Sequence, residues 1–181
     1  MTATVPFERS YVILPNKLIA GEIPSAKTEC DKLEKLHQLL DCNIDVVINL
    51  MEAVEVNYND EIIEDYSAIL IEEAAKRNKK IEIYRYPIKD LSVPTENQMI
   101  AILNKIDEQI DLGKKVYIHC WGGVGRTGTV IGSYLIRHGY AEADKVIYTI
   151  DYLKRTTSIS QRESPETTEQ CHFILNWSLG K

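Results

Sequence analysis

Apolar residues recur in this chain with two different spacings, and the switches between them mark out its elements. Ser25 is placed to cap a helix reaching about residue 40, with Leu33, Leu36 and Leu40 on one face. The apolar run 45–50 reads as a buried strand, followed by a polar stretch and a helix over about 62–77. A strand at 81–86 leads to a helix over 95–112, which Thr95 and Gln98 open as a capping box and Gly113 ends. Residues 116–119 form the next strand and 129–137 the next helix, closed by Gly139; two further helices are expected at about 142–155 and 167–178. Strands separated by helices imply an α/β fold with a central, largely parallel sheet flanked by helices on both faces. Residues 1–181 fit a single domain, with 1–9 as a flexible N-terminal segment.

Composition narrows the function classes. The formal net charge is −6 without a basic stripe, and the ten tyrosines are scattered, which speaks against nucleic-acid binding. The N-terminus lacks an apolar stretch of signal-peptide length and no run approaches a membrane span, so a cytoplasmic protein without membrane contact is expected. The four cysteines are widely spaced without C-x-x-C, indicating neither a zinc site nor a disulfide framework. Cys30, Cys42 and Cys171 read as small buried apolar side chains.

Cys120 is different because of what accompanies it. It follows the strand Val116-Tyr117-Ile118-His119 and opens the loop Trp121-Gly122-Gly123-Val124-Gly125, which ends at Arg126, Thr127 and a helix. Gly122, Gly123 and Gly125 can take positive φ, letting successive N–H groups turn inward around a tetrahedral anion at a helix N-terminus. Arg126 offers a bidentate fork to two phosphate oxygens. A free thiol of pKa near ~8.5 is about 3% ionised at neutral pH, so lowering the pKa gains at most about thirty-fold in thiolate. Most of any rate enhancement must therefore come from the loop binding the transition state more tightly than the ground state. Thr127 is placed to donate to the Cys120 sulfur when it leaves, and His119 to hold loop carbonyls. The letters Gly123-Val124-Gly125-Arg126-Thr127-Gly128 also fit the dinucleotide fingerprint G-x-G-x-x-G. The acidic strand end that fingerprint requires does not follow, because 142–154 is helical in pattern.

Expulsion of an alkoxide or phenolate calls for a general acid. Asp90 is the candidate, on the loop after strand 81–86, between Pro87 and Pro94. The acidic stretch 52–80 reads as a solvated face or as a surface selecting basic substrates.

His119-Cys120-x5-Arg126-Thr127-Gly128 with Asp90 upstream resembles the cysteine-dependent protein tyrosine phosphatase superfamily, in particular its compact dual-specificity members, from about Ser10 onward. The resemblance implies a two-step reaction through a cysteinyl-phosphate, with neither metal nor cofactor. In it Cys120 is the nucleophile, Arg126 the phosphate clamp, Thr127 the leaving-group helper and Asp90 the acid and then base, while 121–126 bind phosphate. The segment 162–170 is similar to the glutamine-bearing loop of tyrosine-specific relatives, which makes Gln170 the candidate for orienting the hydrolytic water; Glu166 stands where those relatives carry another glutamine. The loop interior has no Lys of the kind inositol phosphatases use to meet extra phosphates. The expected substrate is a phosphoprotein carrying phosphotyrosine, with phosphoserine and phosphothreonine as further candidates. A small phosphorylated metabolite (an inositol phosphate or nucleotide), and a weakly active phosphate-binding module, remain as alternatives.

Overall fold

The computed structural model describes residues 5–181, and these form five strands and six α-helices. Strands β1 (Ser10–Leu14) and β2 (Leu18–Gly21) pair antiparallel. Asn16 turns the chain between them with a positive φ of 60°. Then follow α1 (Glu29–Asp41), β3 (Val46–Asn49), α2 (Ser67–Lys76), β4 (Glu82–Arg85), α3 (Glu96–Asp111), β5 (Val116–His119), α4 (Gly125–Arg137), α5 (Val146–Lys154) and α6 (Thr168–Leu175). The sheet order is β1-β2-β5-β3-β4, and every pairing except the β1–β2 hairpin is parallel.

The period of two along the strands sorts side chains into two cores. Val46 and Ile48 of β3, with Val116 and Ile118 of β5, pack against α3, α4, α5 and α6. Val47 and Tyr117 point the other way and pack against α1 and α2. Helices cover both faces of the sheet, as the alternation of elements implied.

Boundaries moved where local chemistry competed with periodicity. Helix α1 starts at Glu29, not after Ser25, because Thr28 Oγ1 accepts from the Asp31 amide at 3.1 Å and caps it there. Leu36 and Leu40 are in the core as expected, but Leu33 is half-buried and Leu39 takes its place. The helix expected over 62–77 is shortened to Ser67–Lys76. Upstream of it, Asn57 Oδ1 accepts from the amides of Asn59 and Glu61, and Val56 bridges Ile62 antiparallel. A side chain that satisfies two nearby backbone donors favours a turn over a helix. Residues 143–145 form a single 3-10 turn before α5. The Thr95–Gln98 capping box opens α3, and Gly113 closes it at φ 77°.

Of the segment expected to be flexible, residues 1–4 lie outside the described residues. Phe7 is buried and meets the Tyr117 ring edge-on, with centroids 5.7 Å apart, so at that point the chain is packed. Among the described residues no helix is long and apolar enough to cross a membrane.

Candidate active site

β3 and β5 are neighbours, yet α2 and α4, which follow them, cover opposite faces of the sheet. Chain leaving the two strands diverges, which opens a crevice at their carboxyl ends. Cys120 is the first residue past β5 in that crevice and is only 3% exposed.

Gly123 has φ 71°, and a Cβ there would stand 2.5 Å from the Gly21 carbonyl carbon, so only glycine lets the loop cross the end of β2. Gly122 and Gly125 do not adopt the positive φ expected of them. Gly125 is instead the first residue of α4, which starts four residues earlier than the pattern suggested. Smallness matters at Gly125 because a Cβ would press on the Gln170 carboxamide and the Glu166 carboxylate, each 3.1 Å away.

The early helix start places Arg126 and Thr127 in the first turn of α4. The Arg126 guanidinium is buried, at 1% exposure, and held by two segments remote in sequence. From the first, Glu55 grips Nη1 and Nη2 with both carboxylate oxygens. On the second, Nη1 donates to the Ile88 carbonyl at 3.0 Å, and Asp90 Oδ1 lies 2.9 Å from Nη2. Burial works against the charge, but the Glu55 carboxylate and the nearby Cys120 outweigh it and hold the Arg126 pKa above its ordinary value. Arg126 Nε has no partner among the described residues. The Thr127 hydroxyl is equally buried and unpartnered, so the bond to Cys120 expected of it is not made in this conformation.

His119 is fully buried directly behind the cysteine, with Nδ1 2.9 Å from the Cys120 carbonyl and Nε2 2.6 Å from the Tyr66 hydroxyl. Burial pulls its pKa down to about 3, so the ring is neutral at pH 7. A neutral imidazole has one donor. Facing a carbonyl, Nδ1 must be that donor, and Tyr66 donates to Nε2.

Gln170, also fully buried, is not free in the crevice. Its Oε1 accepts from the amides of Glu166 and Thr167, both at 3.1 Å, and its Nε2 donates to the Ser92 carbonyl at 3.1 Å. Both lone pairs and one N–H are thus committed, leaving no free acceptor for a water proton.

The loop from His119 through Cys120 to Arg126, the turn bearing Asp90 and the start of α6 with Gln170 therefore converge. Sequence reasoning missed Glu55 and Tyr66. Glu55 sits in the acidic stretch read as a solvated face, and no spacing marks it out. The remaining cysteines divide: Cys42 is buried, and burial raises its pKa, Cys171 is half-buried, and Cys30 is exposed on α1, contrary to the buried reading.

Beside the cradle, a cavity of about 510 Å³ is bounded by Trp121, Gly122, Tyr58, Ile23, Ile63 and Arg162. Tyr58 and Trp121 meet edge-on there, with centroids 4.5 Å apart. Four carboxylates, Glu22, Glu29, Glu61 and Glu64, share its wall with Arg9, Lys27, Lys35 and Arg162.

The geometry has counterparts. Residues 24–140 match the family described as "Polymorphic toxin system, DSP-PTPase phosphatase". A Methanocaldococcus jannaschii protein of unassigned function is 31% identical over 98 residues, 54% of this chain and 60% of that one. The mouse protein tyrosine phosphatase domain-containing protein 1 is 29% identical over 147 residues, 81% of this chain but 19% of its own length. The chain thus spans less than two thirds of either relative. Among solved structures, Tk-PTP in its active form superposes with TM-score 0.63 at 25% identity, covering 92% of this chain and 93% of that one. PTPMT1 in complex with PI(5)P gives TM-score 0.63 at 20% identity, covering 92% of each chain. A variant of Pseudomonas aeruginosa TpbA with a cysteine replaced by serine, in complex with pTyr, gives 0.66 at 12% identity, covering 97% and 88%. The chain belongs to the DSP-PTPase phosphatase family, whose members are cysteine-dependent phosphatases.

Proposed function

We propose that this protein hydrolyses phosphotyrosine in phosphoproteins, with phosphoserine and phosphothreonine as secondary substrates, through a cysteinyl-phosphate. The observation that carries this reading is the meeting of three groups: the Cys120 loop, the buried fork of Arg126 and, 2.9 Å from that fork, Asp90 from a separate segment. Arg126 Nε is a buried donor still without an acceptor, and a phosphate oxygen over Cys120 suits it. The Cys120 thiolate attacks phosphorus, the bond to the leaving oxygen breaks, and Asp90 protonates that oxygen. Water then attacks the cysteinyl-phosphate, Asp90 takes its proton, and Cys120 leaves as thiolate with Thr127 as donor. His119 takes no proton in this scheme; it stays neutral and fixes the Cys120 carbonyl.

The cavity beside the cradle supports a peptide substrate. Its aromatic and apolar wall suits the side chains that flank a phosphorylated residue, and its four carboxylates offset its four cations, so the wall presents no net positive charge to a polyanion. An inositol phosphate is the second reading. It draws on the fold shared with PTPMT1, whose solved complex holds PI(5)P, and on the four cationic side chains of the same wall.

Hydrolysis of a phosphotyrosine peptide and of PI(5)P in the presence of chelator tests both. Turnover of the peptide should vanish in Cys120→Ser and fall by about 10²–10⁴-fold in Asp90→Asn. Preference for PI(5)P by kcat/KM would replace the first reading with the second.

A further inference from the structure

The loop bearing Asp90 is clamped at both ends. At its near end the Ile88 amide donates to the Leu50 carbonyl at 2.9 Å, while the Ile88 carbonyl accepts from Arg126. The Ser92 amide then closes a turn onto the Lys89 carbonyl at 3.1 Å, with Asp90 and Leu91 at its tip. Leu91 adopts φ 59°, a conformation a leucine rarely takes unless its surroundings hold it. At the far end the Ser92 carbonyl receives the Gln170 Nε2 proton, and Thr167 Oγ1 makes a longer 3.5 Å contact to the Leu91 carbonyl. Asp90 itself is 56% exposed, so the turn that carries it sets its place beside Arg126.

The Gln170 carboxamide cannot rotate to do otherwise. Two amides at the start of α6 point at Oε1, which leaves Nε2 aimed at Ser92, and the same carboxamide packs against Gly125 at the start of α4. One side chain therefore joins the acid loop, the cradle and α6. We propose that Gln170 is a positioning residue for the general acid: it holds the far end of the Asp90 turn so that the carboxyl meets the leaving oxygen, and it does not orient the hydrolytic water. The inference rests on the reading of Asp90 as the acid.

The two steps of the reaction distinguish these roles. General acid help matters most for a poor leaving group such as the phenol of tyrosine, and least for a good one such as para-nitrophenol. Water orientation matters only after the leaving group has gone. The experiment measures kcat/KM over a series of aryl phosphates, together with rapid-quench detection of the phosphoenzyme, for wild type, Gln170→Ala, Gln170→Glu, Asp90→Asn and the double variant Asp90→Asn/Gln170→Ala. Gln170→Glu keeps the Oε1 acceptor that caps α6 and loses the donation to Ser92, so it serves if the alanine variant does not fold.

Gln170 variants should lose about 10–100-fold in kcat/KM for phenyl phosphate, part of the full acid contribution, and several-fold less for para-nitrophenyl phosphate. In the Asp90→Asn background the Gln170→Ala loss should disappear, because a group acting through another is non-additive with it. Loss of Asp90's service as base in the second step can by itself build up phosphoenzyme in a Gln170 variant, so the discriminating result is in the double variant. Equal losses across the series, or phosphoenzyme that accumulates further when Gln170→Ala is added to Asp90→Asn, would overturn the inference in favour of a cradle or water-orienting role. If Asp90→Asn itself shows no leaving-group dependence, the assignment of the acid falls and the inference with it.

Discussion

A neutral imidazole sits directly behind the cysteine. Holding His119 neutral has a consequence for stability, because its pKa falls from the ordinary 6.5 to about 3 on folding. Between those values the unfolded chain binds a proton that the folded chain refuses. The stability this group contributes is therefore complete above pH 6.5 and is lost as pH falls towards 3. At about 1.4 kcal/mol per pH unit, the loss at pH 5 is roughly 2 kcal/mol. His119→Asn retains a donor for the Cys120 carbonyl without a titrating ring. Denaturant melts at pH 7 and pH 5 should show a pH penalty about 2 kcal/mol smaller in the variant than in wild type. An unchanged penalty would place the acid sensitivity elsewhere. The contact of His119 with a loop carbonyl was legible from its place beside Cys120; its partner Tyr66 was not, because a lone tyrosine before a helix carries no mark of what it touches.

Two helices of this chain open with the same device. Thr95 and Gln98 cap α3, and Thr167 and Gln170 cap α6, each with the threonine hydroxyl accepting from the glutamine amide at 3.2 Å. Locally the two are interchangeable, and both are visible in the sequence as T-x-x-Q. Their surroundings separate them: Gln98 is exposed, whereas Gln170 is buried and bonded to Ser92. Gln98→Ala should therefore cost about 1 kcal/mol or less of stability and leave kcat/KM unchanged. Thermal melts and the aryl phosphate assay check both halves, and a catalytic loss in Gln98→Ala would mean that the start of α3 also governs the acid loop. Local capping chemistry also explains the boundary errors. Thr28 displaced the expected Ser25 cap, and the Asn57 turn withheld 62–66 from α2, since a side chain that satisfies nearby amides outweighs a weak apolar period.

β5 lies at the centre of the sheet, between β2 and β3, and its residues serve both cores. Ile118 packs with α3 and α4, Tyr117 with α1 and α2, so neither layer can open without exposing this strand. The amides of Val116–His119 should be among the slowest to exchange, at the rate of global unfolding, while those of 52–65 exchange far faster. Hydrogen-exchange mass spectrometry on peptides from the two regions tests this; fast exchange in β5 would mean that the layers unfold separately. The α/β layering and the Cys120 loop followed from neighbours in the chain, because strand and helix periods and a glycine-rich turn before a helix are properties of consecutive residues. The grip of Glu55 on Arg126, 71 positions away, and of Gln170 on Ser92, 78 positions away, came only with the packed molecule. Periodicity tells which face of an element is buried and says nothing about which distant loop it will meet. That is decided by the order of the strands, which sets the loops after β3, β4 and β5 and the start of α6 around one crevice.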